Sequence, residues 1–84
     1  HAARGYREIN FEALRLLPRG GYLATCSCSH FMTRDLLAKA IAEAAHQANV
    51  QLKQVEERQQ APDHPILWGF PESHYLDFFV FQVV

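Results

Sequence analysis

Residues 75–84, Tyr-Leu-Asp-Phe-Phe-Val-Phe-Gln-Val-Val, constrain the fold of this 84-residue chain more than any other stretch. Apolar side chains fall on both faces of the extended chain, the pattern of a central strand covered on both sides. Such a strand needs a neighbour along each edge, and the chain offers two. Tyr22 to Cys26 reads as one strand. Val50 to about Gln59 reads as the other, with poor alternation: Val50 and Leu52 share a face, and Val55 slips to the opposite one. Lys53, Glu56, Glu57 and Arg58 mark that second strand as an edge, because charge deters stray pairing. The last strand is therefore expected between the earlier two.

Two helical segments fill the remaining order. From about Arg4 to Leu17, the spacing of Tyr6, Ile9, Ala13 and Leu16 or Leu17 predicts one apolar face. Pro18-Arg19-Gly20-Gly21 ends it, since proline cannot continue a helix and glycine turns freely. The second helix opens at Thr33 as N-cap, with Met32 and Leu37 as a hydrophobic staple and Asp35 at the positive helix end. Leu37, Ile41, Ala44, Ala45 and Ala48 form its buried stripe, and Asn49 is the exit residue. Residues 59–73 make a long connection with Pro62, Pro65, Gly69 and Pro71, a length usual for functional or disordered loops. Ile66, Leu67, Trp68 and Phe70 argue that it packs.

Composition sets outer limits. One small domain, or a piece of a larger one, is expected from a chain that buries only roughly 60–65% of its unfolded surface. An apolar share of 49% argues against disorder, and a formal net charge of −1 provides no broad electrostatic footprint for nucleic acid. No run approaches the ~20 apolar residues that span a bilayer, so no membrane is expected. Cys26 and Cys28 stand too close for a comfortable disulfide, and with no signal peptide in view they favour a reducing, cytoplasmic compartment. The chain begins with His1 rather than Met, as expected of a processed product or an excised piece.

The chemistry concentrates in Thr25-Cys26-Ser27-Cys28-Ser29-His30. A buried strand surfaces there into two thiols, two serines and a histidine just before a helix, at the carboxyl end where open α/β sheets place their ligands. A metal site of Cys26, Cys28, His30 and His64 fits poorly, because the alternating spacing departs from the usual gaps of structural zinc pairs. Small buried cysteines are the plainer alternative for both thiols. His30 is read equally well as a substrate-orienting group or a solvated loop histidine. Asp63-His64-Pro65 is either an acid–histidine pair closing over the pocket or loop architecture, with Asp63 capping amides and Pro65 fixing the turn.

Three stretches together carry a family resemblance. Arg4-Gly5-Tyr6-Arg7-Glu8-Ile9-Asn10, Thr25–His30, and Gln60-Ala61-Pro62-Asp63-His64-Pro65 followed by Pro71-Glu72 and Tyr75-Leu76 resemble the large-subunit ribosomal RNA cytosine-5 methyltransferases that carry an amino-terminal PUA domain. Asp77 departs from the pattern, which has lysine after Tyr-Leu. The resemblance implies an α/β fold, the carboxyl-terminal half of a Rossmann-like methyltransferase domain. In it a three-stranded mixed sheet has two flanking helices and its last strand antiparallel in the middle. It assigns residues 1–84 to the carboxyl-terminal part of the domain, without the cofactor-binding half or the PUA domain. S-adenosylmethionine is the implied cofactor and ribosomal RNA the implied partner. The glycine-rich loop and acidic residue that hold the cofactor in such folds do not occur here, so the isolated piece is expected to be inactive.

By the same resemblance Cys28 is the nucleophile, with Cys26 its rival on the same strand face. Carbon-5 of cytosine is a weak nucleophile until a thiolate adds at carbon-6, which splits one hard step into easier ones. The thiol must be exposed and partly ionised. Ser27, Ser29, His30, Asp63, His64 and Arg4 are the expected substrate contacts. Arg4 and Arg7 are candidates for RNA phosphate. Trp68 and Phe70 are candidates for base stacking, against the plainer expectation that they bury over the sheet. Two rivals stand beside this reading: a methyltransferase acting on another substrate, and a noncatalytic module that forms a homodimer through an exposed sheet edge at Tyr22–Cys26.

Overall fold

The computed structural model describes residues 2–27, 32–60, 68 and 76–84. Their elements run α1 (Ala2–Leu16), β1 (Tyr22–Ser27), α2 (Arg34–Gln47), β2 (Leu52–Gln59) and β3 (Asp77–Val83). The terminal apolar strand is central, in the order β1-β3-β2. Both pairings are antiparallel, so the sheet expected to be mixed has no parallel pair among these strands. The physical reason is simple: β3 enters head-down between two strands that share a direction and separates them.

The helix boundaries follow local chemistry. The Leu36 amide donates to the Thr33 hydroxyl at 3.2 Å, the N-cap bond that opens α2. Met32 and Leu37 lie in one buried cluster, as a staple requires. At the other end Asn49 takes a left-handed φ of 56°. The Asn49 amide donates to the His46 carbonyl at 3.1 Å and the Val50 amide to Ala45 at 3.0 Å. Those two bonds are a Schellman closure, and asparagine tolerates its backbone better than most residues. Gly20, with φ 87°, makes the corresponding turn between α1 and β1. Its amide reaches the Val83 carbonyl at 2.7 Å and ties the turn to the end of β3.

One helix face differs from the expected one. Ile9 and Leu16 are 70% and 73% exposed, while Asn10 and Leu14 are buried. The buried stripe of α1 runs through Tyr6, Asn10, Leu14 and Leu17, about one residue around the cylinder from the predicted face. Asn10 conceals it, because a polar residue sits where the apolar repeat should continue. Its side-chain amide is satisfied locally, donating to the Tyr6 carbonyl at 2.7 Å. A buried amide with a partner loses most of its desolvation penalty.

Both helices cover the same face of the sheet. Leu23 and Val83 meet Leu14, Ala44 and Ala45 in one cluster, and Phe79 meets Met32, Leu37 and Ile41 in the other. Phe79 and Phe81 stack with ring centroids 5.5 Å apart. Phe79 alone is worth about 1.5–3 kcal/mol of burial. On the opposite face Tyr22, Ala24 and Cys26 lie exposed beside half-buried Phe78 and Val80. The irregular alternation of β2 is a bulge: Gln54 opposes Phe81 and Glu56 opposes Val80, leaving Val55 as the extra, half-exposed residue.

Candidate functional site

The packing brings five chain ends to one side. Tyr6 packs with Leu37 and Ile41, and Leu14 with Ala44 and Ala45, so α1 and α2 run in the same direction. Their amino termini therefore share an end of the molecule with the carboxyl ends of β1 and β2. The start of β3 joins them, because Asp77 opposes Ser27 on one side and Gln59 on the other. The capped, positive end of α2 and one polar row thus meet where the chain leaves β1 and β2.

That row is buried at its centre. Ser27 is 2% exposed and Asp77 4%, and both have interaction partners. Ser27 faces the helices, whereas Cys26 points to the opposite, exposed face as a free thiol. Among the predicted substrate contacts, Arg4 lies in the first turn of α1 with its Nε donating to Glu8 at 3.0 Å. The structure therefore puts Ser27 and Arg4 at the same end. Cys28, Ser29, His30, Asp63 and His64 lie outside the described residues, as does Phe70. Among the described residues no three His, Cys, Asp or Glu side chains are grouped to hold a metal ion.

Other side chains take clearer roles than their sequence positions implied. Tyr6 belongs to the core cluster of Phe79 and Leu37. Arg7 bridges the helices through Glu43 at 3.3 Å. Trp68, expected to bury over the sheet, is 99% exposed. Arg34 locks the start of α2 to β2 with a two-pronged bond to Glu57, 2.8 Å from Nε and 3.0 Å from an Nη, while its guanidinium lies 5.4 Å from the Phe79 ring centre. The Glu57 bond, followed by the Asp35 bond, pushes Arg34 further into the basic range, and the Arg34 bond holds the Glu57 carboxyl below its ordinary value. Sequence reasoning missed Asn10 in the core and the Arg7–Glu43 bridge. The apolar residues Ala3, Tyr6, Leu14 and Leu17 on either side of position 10 carried the first signal; the second spans 36 residues and leaves no local trace.

Comparison with known proteins first defines a fold. The chain superposes on a solved structure described as "A putative sam-dependent methyltransferase from Streptococcus mutans" with a TM-score of 0.86 at 18% identity, over 99% of this chain and 22% of that one. A second solved structure of this kind, complexed with SAH, gives a TM-score of 0.86 at 18% identity over 96% of this chain and 21% of that one. The architecture is that of one part of a Rossmann-like methyltransferase. The nearer sequence likeness is to Ribosomal RNA large subunit methyltransferase I. The proteins of that name from Shigella dysenteriae serotype 1 (strain Sd197) and Escherichia coli O1:K1 / APEC are each 46% identical over 83 residues, 99% of this chain and 21% of theirs. The chain thus spans about a fifth of the length of the curated relatives it matches. No protein-family profile matches it, and no helix among the described residues is long and apolar enough to cross a membrane.

Proposed function

We propose that this chain is the carboxyl-terminal part of the catalytic domain of an S-adenosylmethionine-dependent methyltransferase acting on ribosomal RNA. The cofactor-binding half and the PUA domain would lie in the remainder of a longer protein. The observation that carries this reading is the 46% identity to Ribosomal RNA large subunit methyltransferase I along 99% of the chain. The gathering of helix amino termini and strand carboxyl ends beside Ser27 supports it, because that rim is where such sheets work.

The reaction is methyl transfer to carbon-5 of a cytosine, with Cys28 as nucleophile. Its thiolate adds to carbon-6, and the new electron pair makes carbon-5 nucleophilic. Methylation at carbon-5 and loss of that carbon's proton then let the C6–S bond break and return the thiolate. S-adenosylmethionine supplies the methyl group. No described strand of this chain ends in the glycine-rich turn that cradles such a cofactor, so its binding belongs to the remainder of the protein. Ser27 and Ser29 flank the nucleophile. His30, Asp63 and His64 orient the base or move the proton, and Arg4 holds RNA.

Mass spectrometry of ribosomal RNA nucleosides from a strain lacking the gene tests the reaction. Loss of 5-methylcytidine from large-subunit RNA is the expected result. Loss of a different methylated nucleoside, with 5-methylcytidine intact, would assign another substrate atom. A second reading rests on β1, whose only partner among the described strands is β3 and whose Tyr22 is exposed. If that edge serves a homodimer, sedimentation gives a dimer that survives dilution; a monomer ends this alternative.

A further inference from the structure

Between the amino-terminal halves of α1 and α2 lies an open groove of about 270 Å³. Arg4, Arg7 and Lys39 line it against a single carboxylate, Glu43, with Ala3 and Leu36 among its apolar walls. Three cations in one groove are notable in a chain whose formal net charge is −1.

Their hydrogen-bonding capacity is only partly used. Arg4 engages Glu8 through Nε, leaving both terminal nitrogens without a described partner. Arg7 engages Glu43 through one terminal nitrogen, leaving the other without a described partner. Lys39 is exposed and forms no ion pair among the described residues.

We propose that this interhelical groove binds the phosphodiester backbone of the RNA substrate, with Arg4, Arg7 and Lys39 donating to phosphate oxygens; the inference rests on the ribosomal RNA reading above. The forked guanidinium matches two oxygens of one phosphate, and the flexible Lys39 ammonium reaches a neighbouring one. Contacts of this kind position the strand and carry no sequence information.

The test is a titration of the longer protein with a large-subunit RNA fragment across a series of salt concentrations. Wild type is compared with Lys39→Gln, Arg4→Gln/Lys39→Gln and the control Lys53→Gln, which removes the same unit charge from β2 on the uncovered sheet face. Matching thermal melts check that each variant is folded. Each lost phosphate contact should weaken binding by about 3- to 10-fold and reduce the slope of log affinity against log salt by about one. The double variant should therefore lose about two units of slope, and Lys53→Gln none. An unchanged slope in the double variant, or an equal loss in Lys53→Gln, overturns the groove. Binding is read without methyl transfer. Groove-dependent binding with no 5-methylcytidine formed would contradict the reaction and uphold the groove, whereas normal methylation with an unchanged slope would contradict the groove alone.

Discussion

β1 and β2 flank the same strand, yet their outer sides are built on different plans. β2 carries Lys53, Glu56, Glu57 and Arg58 and interrupts its own ladder with the bulge at Val55. Charge and a bulge are the two usual devices that stop a further strand from adding. β1, Tyr-Leu-Ala-Thr-Cys-Ser, has neither a charged residue nor an irregularity in its register. Its Tyr22, Ala24 and Cys26 also extend the uncovered face of the sheet. The contrast teaches that β2 is built to end a sheet, whereas β1 leaves its outer edge open to a further strand.

Substitutions can break this contrast, beginning where both edges depend on one residue. Phe79 opposes Thr25 on β1 and Glu57 on β2, and is buried against α2. Phe79→Ala should cost about 3–5 kcal/mol, read as a lower urea midpoint, because the cavity opens beneath both strands. Ala24→Lys probes the exposed face that β1 shares with Phe78 and Val80. If the remainder of the proposed longer protein covers that face, the change should cost more than about 2 kcal/mol there; a cost near zero means that the face stays open.

Glu57→Gln should be milder, about 0.2–1 kcal/mol, since the Arg34 pair is partly exposed. The sign with pH is fixed by the lowered Glu57 pKa. The pair stabilises in full above the ordinary glutamate value, and that contribution fades as pH falls through the lowered one. Stability curves of wild type and Glu57→Gln should therefore converge in acid and separate toward neutrality. Smallest of all is Val55→Lys at the bulge, expected to stay within about 0.5 kcal/mol because the side chain is already half exposed.

What the sequence disclosed about the fold follows from how local each signal is. Thr33, Met32 and Leu37 announced α2, and Asn49 its exit, because caps act within a turn of the backbone. The doubly apolar Phe78–Val83 run placed β3 in the centre by demanding neighbours. The α1 face was misread by about one residue, since Asn10 hides in the core by bonding the Tyr6 carbonyl rather than by being apolar. The slip at Val55 was visible as broken alternation, but only the pairing with β3 identifies it as a bulge. For the candidate site, Ser27 and Arg4 were legible as residues, while their shared end depends on α1 and α2 running in one direction. The Arg4–Arg7–Lys39 groove is assembled across two helices, and no window of sequence contains it.

The covalent role proposed for Cys28 is tested most directly by trapping. The longer protein is mixed with S-adenosylmethionine and large-subunit RNA carrying 5-fluorocytosine, whose fluorine blocks the final elimination. Wild type and Cys26→Ala should each retain RNA in a band that survives denaturation, and Cys28→Ala should retain none. A surviving band in Cys28→Ala, with its loss in Cys26→Ala, would contradict the assignment and move the nucleophile to the exposed thiol on the far side of β1.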